Sequence, residues 1–137
     1  MPESPEIQKK MYNILREIGE YTDLEALAVV NREGLKVSFF ARKGADPDLL
    51  SAISAAILST GEQAVSMNEH GELLEVLVRG EKGFTILTSA GDYIIIGSSL
   101  ELNSMGLTIR ILRKYANKIQ KIICGNCDED IGPIQLD

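Results

Sequence analysis

Between Asp46 and Met67 the sequence carries a helical segment that is apolar over more of its circumference than one packing partner can cover. Asp46-Pro47 opens it, because Asp accepts hydrogen bonds from the unpaired amides of a first turn and Pro suits that turn. Set at 100° intervals, Leu49, Ile53, Ala56, Thr60 and Ala64 fall on one side and run without a polar break into Leu50, Ile57, Leu58, Gly61 and Val65. The resulting arc of about 200° is twice the roughly 100° stripe of a helix that packs on one partner. Ser59, Glu62, Gln63 and Ser66 fill the remaining strip, while the small residues Ser54, Ala55, Ala56 and Gly61 let another helix approach closely. Loops or a terminal helix of the same chain could cover the excess; self-association is the favoured expectation.

The flanking segments predict an α/β sandwich. Ile7, Met11, Ile14 and Ile18 recur at spacings of three and four from Pro5 to Tyr21, with Ser4 as cap, Pro5 at the first helical position and Gly19 weakening the last turn. Leu24 to Asn31 and Leu35 to Ala41 read as a hairpin turned at Gly34. In its second strand Leu35, Val37 and Phe39 alternate with Lys36 and Ser38, and Phe40 interrupts the polar side. Three further strands, Leu73 to Arg79, Phe84 to Ser89 and Tyr93 to Leu100, follow as a meander broken at Gly80-Glu81-Lys82-Gly83 and Gly91-Asp92. Tyr93 to Ile96 lacks alternation, as expected of a central strand covered on both faces, whereas Glu75 and Arg79 suit an edge. A last helix runs from about Asn103 to Ile123. The domain is expected to span residues 1–123, with 124–137 an acidic C-terminal tail.

Composition narrows the function classes. With 20 acidic residues against 14 basic, a net charge of -6 disfavours phosphate backbones and anionic lipid. Aromatic residues at 5%, with no Trp, remove the usual platforms for single-stranded nucleic acid. Neither a nucleic-acid partner nor membrane insertion is expected, since no apolar run approaches the ~20 residues of a span. The acidic Met-Pro-Glu-Ser-Pro-Glu start is unlike a signal peptide, and two cysteines alone suit a reducing compartment, so the expected localisation is cytoplasmic.

Catalytic chemistry finds little support. No glycine-rich loop followed by Lys and Ser or Thr precedes a helix, and Gly80-Glu81-Lys82-Gly83 reads as a hairpin turn. The single histidine, His70, lies among Asn68, Glu69 and Gly71 in a loop, and the acid pairs Glu72/Glu75 and Asp128/Asp130 lie on an edge or in the tail. No catalytic residue and no cofactor are expected. Cys124 and Cys127 have the spacing of half a tetrahedral zinc site, which two protomers could complete, but a plain tail pair is the expected reading because they follow a helix rather than precede one. Arg110, Arg113, Lys114, Lys118 and Lys121 form a cationic stripe that reads first as a solvated helix face, and otherwise as a patch for an acidic protein surface.

The order of elements and several strings together resemble the Roadblock/dynein light chain family, its prokaryotic MglB-like members in particular. Leu27-Ala28-Val29-Val30-Asn31-Arg32-Glu33-Gly34 is similar to that family's first hairpin, and Ser54-Ala55-Ala56-Ile57-Leu58-Ser59-Thr60-Gly61-Glu62 to its central helix. Leu74-Glu75-Val76-Leu77-Val78 followed by Gly80 and Gly83 resembles its third and fourth strands, and Asn103-Ser104-Met105-Gly106-Leu107 the start of its last helix. The resemblance implies a five-stranded antiparallel sheet, the long helix on one face and the terminal helices on the other. It also implies homodimers in which long helices pair and third strands meet edge to edge, and a non-catalytic role scaffolding or regulating a small Ras-like GTPase. The expected dimer contacts are Leu50, Ser54, Ile57, Leu58, Gly61 and Val65 on the helix, with Leu73, Glu75 and Leu77 at the edge. Two other readings stand beside it: a small-molecule sensor of profilin-like or PAS-like type, and a purely structural dimerisation subunit of a larger complex.

Overall fold

A computed structural model describes residues 4–42 and 46–124. Helix α1 (Pro5–Tyr21) starts where Ser4 Oγ accepts the Ile7 N–H at 3.2 Å. Strands β1 (Ala26–Asn31) and β2 (Lys36–Ala41) follow. Their turn is held by Asn31 Oδ1, which accepts the N–H groups of Glu33 and Leu35 at 3.0 Å, and Gly34 takes the positive φ of +86° that the turn requires. Helix α2 (Pro47–Met67) begins at Asp46, whose carboxylate accepts the amides of Asp48 and Leu49 at 3.0 and 3.2 Å. Strands β3 (Glu75–Arg79), β4 (Phe84–Ala90) and β5 (Tyr93–Ser99) lead to α3 (Met105–Cys124). Leu24, Leu35, Leu73 and Leu100, expected at strand ends, lie just outside the strands.

All pairings are antiparallel in one sheet ordered β2-β1-β5-β4-β3. The expected central strand is β5, buried along Tyr93 to Gly97, and the expected edge is β3. Strand alternation sends Leu27, Val29, Ile86 and Ile95 into a layer with Met11, Leu15 and Ile18 of α1 and Ile111, Leu112 and Tyr115 of α3. On the other face Ala28, Val30, Leu87, Ile94 and Ile96 meet Leu58 of α2. Helix α2 thus covers one face and the terminal helices the other.

Strand β2 departs from its sequence pattern. Val29 pairs with Ser38 but Val30 pairs with Lys36, so Val37 is an extra residue bulging from the ladder. One inserted residue reverses the alternation: Val37 and Phe40 pack with the terminal-helix layer, Phe39 with the α2 layer. Phe40 therefore belongs to a core. Its ring also explains Gly19, where a Cβ would come within 2.8 Å of Phe40 Cε2. The glycine that weakens α1 on propensity permits the helix to close on β2.

Among the described residues, no helix is long and apolar enough to cross a membrane.

Candidate interaction surface

The sheet divides the wide apolar arc of α2. Ser51, Ser54 and Leu58 are buried against it, and Leu50 and Ile57 are partly buried beside them. Gly61 crosses over the start of β3, where a Cβ would meet Val76 Cγ2 at 3.0 Å and Leu73 Cδ2 at 3.3 Å. The far side of the helix is open: Leu49 is 58% exposed and Ile53 50%, with Ala52, Ala56, Thr60 and Ala64 exposed around them. On the α2 side of the neighbouring strand β3, Val78 is 45% exposed, while Leu77, 42% exposed, lies on the opposite sheet face at the same open edge.

This placement redistributes the residues expected at an interface. Ser54 and Leu58, 1% and 4% exposed, face their own sheet and have no surface left for a second molecule. Leu50, Ile57, Gly61, Val65 and Leu73 line the half-buried seam between helix and sheet, and Leu77 stands at the edge. Glu75 is held within the chain by the Arg113 guanidinium, whose Nε lies 3.0 Å from Oε1 and 3.3 Å from Oε2. That hydrogen bond, and then the carboxylate's charge, raise the Arg113 pKa above its ordinary value. Leu49, Ile53 and Val78 belong to the open surface although none was in the expected contact set. Leu49 and Ile53 were in the helical arc, but the sequence does not say which half of the arc meets the sheet.

Arg32 ties the β1–β2 turn to the β4–β5 turn. Its Nε and Nη2 donate to the Gly91 carbonyl at 3.1 and 2.6 Å, Nη2 also donates to Ser89 Oγ at 2.7 Å, and Nη1 lies 3.7 Å from Glu62. Two clefts of about 500 and 590 Å³ flank it, open to solvent, and the second is lined by Glu62, Glu72 and Asp92. With its donors engaged and acids around it, Arg32 offers little to an anion.

The cationic stripe of α3 is neutralised in part by its own subunit, since Arg113 meets Glu75 and Lys118 Nζ lies 3.6 Å from Glu17. His70 is exposed beyond the end of α2. Among the described residues no three His, Cys, Asp or Glu side chains converge on a position that could hold a metal. The proposed Cys124/Cys127 pair lies outside the described residues, as α3 ends at Cys124 and that side chain is not described.

Three helices around this sheet, with α2 alone on one face, define a Roadblock/LC7 domain. Residues 10–98 match the model of that family, and the chain belongs to it. It is 23% identical over 107 residues to an uncharacterized protein of Methanocaldococcus jannaschii, covering 78% of this chain and 94% of that one. Among solved structures, Myxococcus xanthus MglB matches with a TM-score of 0.81 at 15% identity, covering 96% of this chain and 98% of that chain. The gliding protein MglB of Thermus thermophilus matches with a TM-score of 0.80 at 13% identity, covering 89% and 94%.

Proposed function

We propose that this chain is a homodimeric interaction module, without an active site of its own, that scaffolds or regulates a small Ras-like GTPase in the cytoplasm. The dimer half of the reading is carried by one observation: the outward half of α2 leaves Leu49 and Ile53 half exposed, on the helix that packs beside the open edge strand β3. Full burial of a Leu or Ile side chain contributes roughly 1.5–3 kcal/mol, so each of these residues leaves about 1 kcal/mol unrealised in a single subunit. A two-fold partner covers the same patch on both copies at once.

The GTPase half rests on membership of the Roadblock/LC7 family and on what the resemblance to its MglB-like members implies. A sensor reading is less well supported, because the clefts beside Arg32 are open to solvent rather than enclosed. The test is capture from the native host, with the tagged protein as bait and lysate loaded with either GDP or a non-hydrolysable GTP analogue. A Ras-like GTPase retained in one nucleotide state and not the other is the expected result. Capture of larger subunits with no GTPase among them, indifferent to nucleotide, would replace this reading with the purely structural one.

A further inference from the structure

The sheet has a second open edge, at β2, and the two ends of that edge differ in charge. The bonds from Arg42 N–H to the Glu25 carbonyl at 2.9 Å and from Asn31 N–H to the Leu35 carbonyl at 3.0 Å bracket the pairing of β2 with β1. They put the bonding groups of Ser38 and Phe40 on the β1 side. Phe39 and Ala41 therefore turn their N–H and C=O groups toward the open edge. Beside it, on α1, Tyr12 is 42% exposed and meets Phe40 edge to face, with ring centroids 6.3 Å apart. Lys9 and Arg16 fall within about 60° of Tyr12 around the helix, and Lys36 opens the strand. All three cations are exposed, and none has an ion-pair partner among the described residues. At the other end of the edge, around Arg42, stand Glu20, Asp23 and Glu25.

The last turn of α3 lies at the cationic end. Gln120 and Ile123 line a cleft of about 240 Å³ with Ala90, Gly91 and Asp92 at the β4–β5 turn, and Arg32 of the β1–β2 turn donates to the Gly91 carbonyl. Strand β2 is two strands from β5 and three from β4, which is about 10–15 Å at the usual spacing. Four to six extended residues beyond Cys124 reach about 13–20 Å. Asp128, Glu129 and Asp130 are thus within range of Lys36 and Lys9. These three consecutive acids are followed by Ile131, so the tail carries charge first and an apolar group second. The edge has the same order, from Lys36 toward Tyr12 and Phe40.

We propose that the occupant of the β2 edge is the chain's own tail, with Asp128 to Ile131 running parallel to β2 and the acids set against Lys36 and Lys9. Pro133, which has no N–H to give a ladder, limits the stretch that can pair, as the bulge at Val37 does on β2. The cations of α3 are nearer in sequence but already engaged: Arg113 meets Glu75, Lys118 meets Glu17, and Arg110, Lys114 and Lys121 have interactions of their own. An uncovered sheet edge is a template for pairing with other chains, so a tail seated here closes one of the two edges and leaves β3 as the edge open to a partner. The proposal stands apart from the dimer and GTPase readings.

The test is zero-length carbodiimide cross-linking of the full chain, mixed in equal parts from isotope-labelled and unlabelled protein, with the joined peptides read by mass spectrometry. Amide links are expected from Asp128, Glu129 or Asp130 to Lys36 or Lys9, with both peptides of the same label. Links to Lys114, Lys118 or Lys121 alone, links to Lys36 or Lys9 only between chains of different label, or no link from the three acids would each overturn the proposal. Amide exchange supplies a second readout. In a variant carrying Asp128→Lys, Glu129→Lys and Asp130→Lys, the N–H groups of Phe39 and Ala41 are expected to exchange about tenfold faster or more, while those of Ser38 and Phe40, bonded to β1, keep the parent rate. Adding Lys9→Glu and Lys36→Glu in that background is expected to restore the protection of Phe39 and Ala41. Equal rates for Phe39 and Ala41 in the parent and the triple variant would remove the pairing, with Ser38 and Phe40 reporting that the fold is intact.

Discussion

Replacing Ile53 with Glu separates the outward face of α2 from its inward one. Ile53 is 50% exposed, so about half of the roughly 1.5–3 kcal/mol available from burying an isoleucine, near 1 kcal/mol, remains to be gained at an interface. A two-fold contact counts each side chain twice, and Ile53→Ala alone should therefore cost about 2 kcal/mol per dimer, or about 30-fold in Kd. Glu adds the desolvation of two polar groups left without partners, at about 1–3 kcal/mol each. The total of about 4–8 kcal/mol corresponds to a dimer weakened at least a thousandfold. Light scattering over a concentration series reads the association, and circular dichroism melts read the fold, which an exposed position should leave nearly unchanged. Leu58→Ala supplies the contrast: at 4% exposure it should lower fold stability by about 2–5 kcal/mol through the cavity it leaves beside Leu87 and Ile96. A folded Ile53→Glu protein that scatters as the parent dimer would refute the assignment of this face.

Two further predictions concern the buried polar groups. Ser54→Ala should stabilise the protein by about 1–2 kcal/mol in urea titrations, because the Ser54 hydroxyl is buried without a hydrogen-bond partner and Ala is the better helix former; a loss of stability would show that the hydroxyl has a partner. Tyr115, buried between α1 and α3, donates its O–H to Glu17 Oε1 at 2.9 Å, and Tyr115→Phe should cost about 1–2 kcal/mol. Burial first, and the bond to Glu17 second, hold the phenol's pKa well above its ordinary value. The unfolded chain releases this proton near pH 10 while the folded chain keeps it, so its contribution is complete below about pH 10 and is lost as pH rises further. The alkaline fall in stability should be shallower in Tyr115→Phe; equal slopes would contradict the burial of that hydroxyl.

Features written in local chemistry were legible in the sequence. Ser4-Pro5 and Asp46-Pro47 start their helices as the capping residues require, and Gly34 turns the first hairpin with the positive φ expected of it. The unbroken apolar run of β5 marks the central strand, and charges mark β3 as an edge. The misreadings arose where one residue changes what a pattern means. The bulge at Val37 leaves no trace in composition, yet it exchanges the faces of everything after it in β2. Gly19 reads as a propensity defect until Phe40 is brought against it from another element. The width of the apolar arc of α2 follows from its sequence, but its orientation is fixed by contacts distant in sequence. A turn of the helix by about 100° would have exchanged Leu58 for Ile57 at the sheet.

The two layers of the domain are unequal, and this bears on the proposal that α2 carries an interaction surface. Among the described residues, eighteen buried side chains form the core shared by α1, α3 and the sheet, against six in the core beneath α2. The α2 side is further diluted by Ser51 and Ser54, whose buried hydroxyls lack partners and whose small volumes contribute little apolar contact. A helix seated this lightly gains less from its own sheet than either terminal helix does, although its sequence is the most apolar of the three. Its surplus apolar surface is accordingly on the outside, where about half of Leu49 and of Ile53 is left uncovered by their own subunit. In the proposed dimer, a second copy laid across that face would add contact that the inner face lacks, and a partner binding only the assembled form would stabilise both the dimer and the seating of α2. On the proposed reading, folding of the α2 layer and recognition by it would be two outcomes of the same deficit in burial.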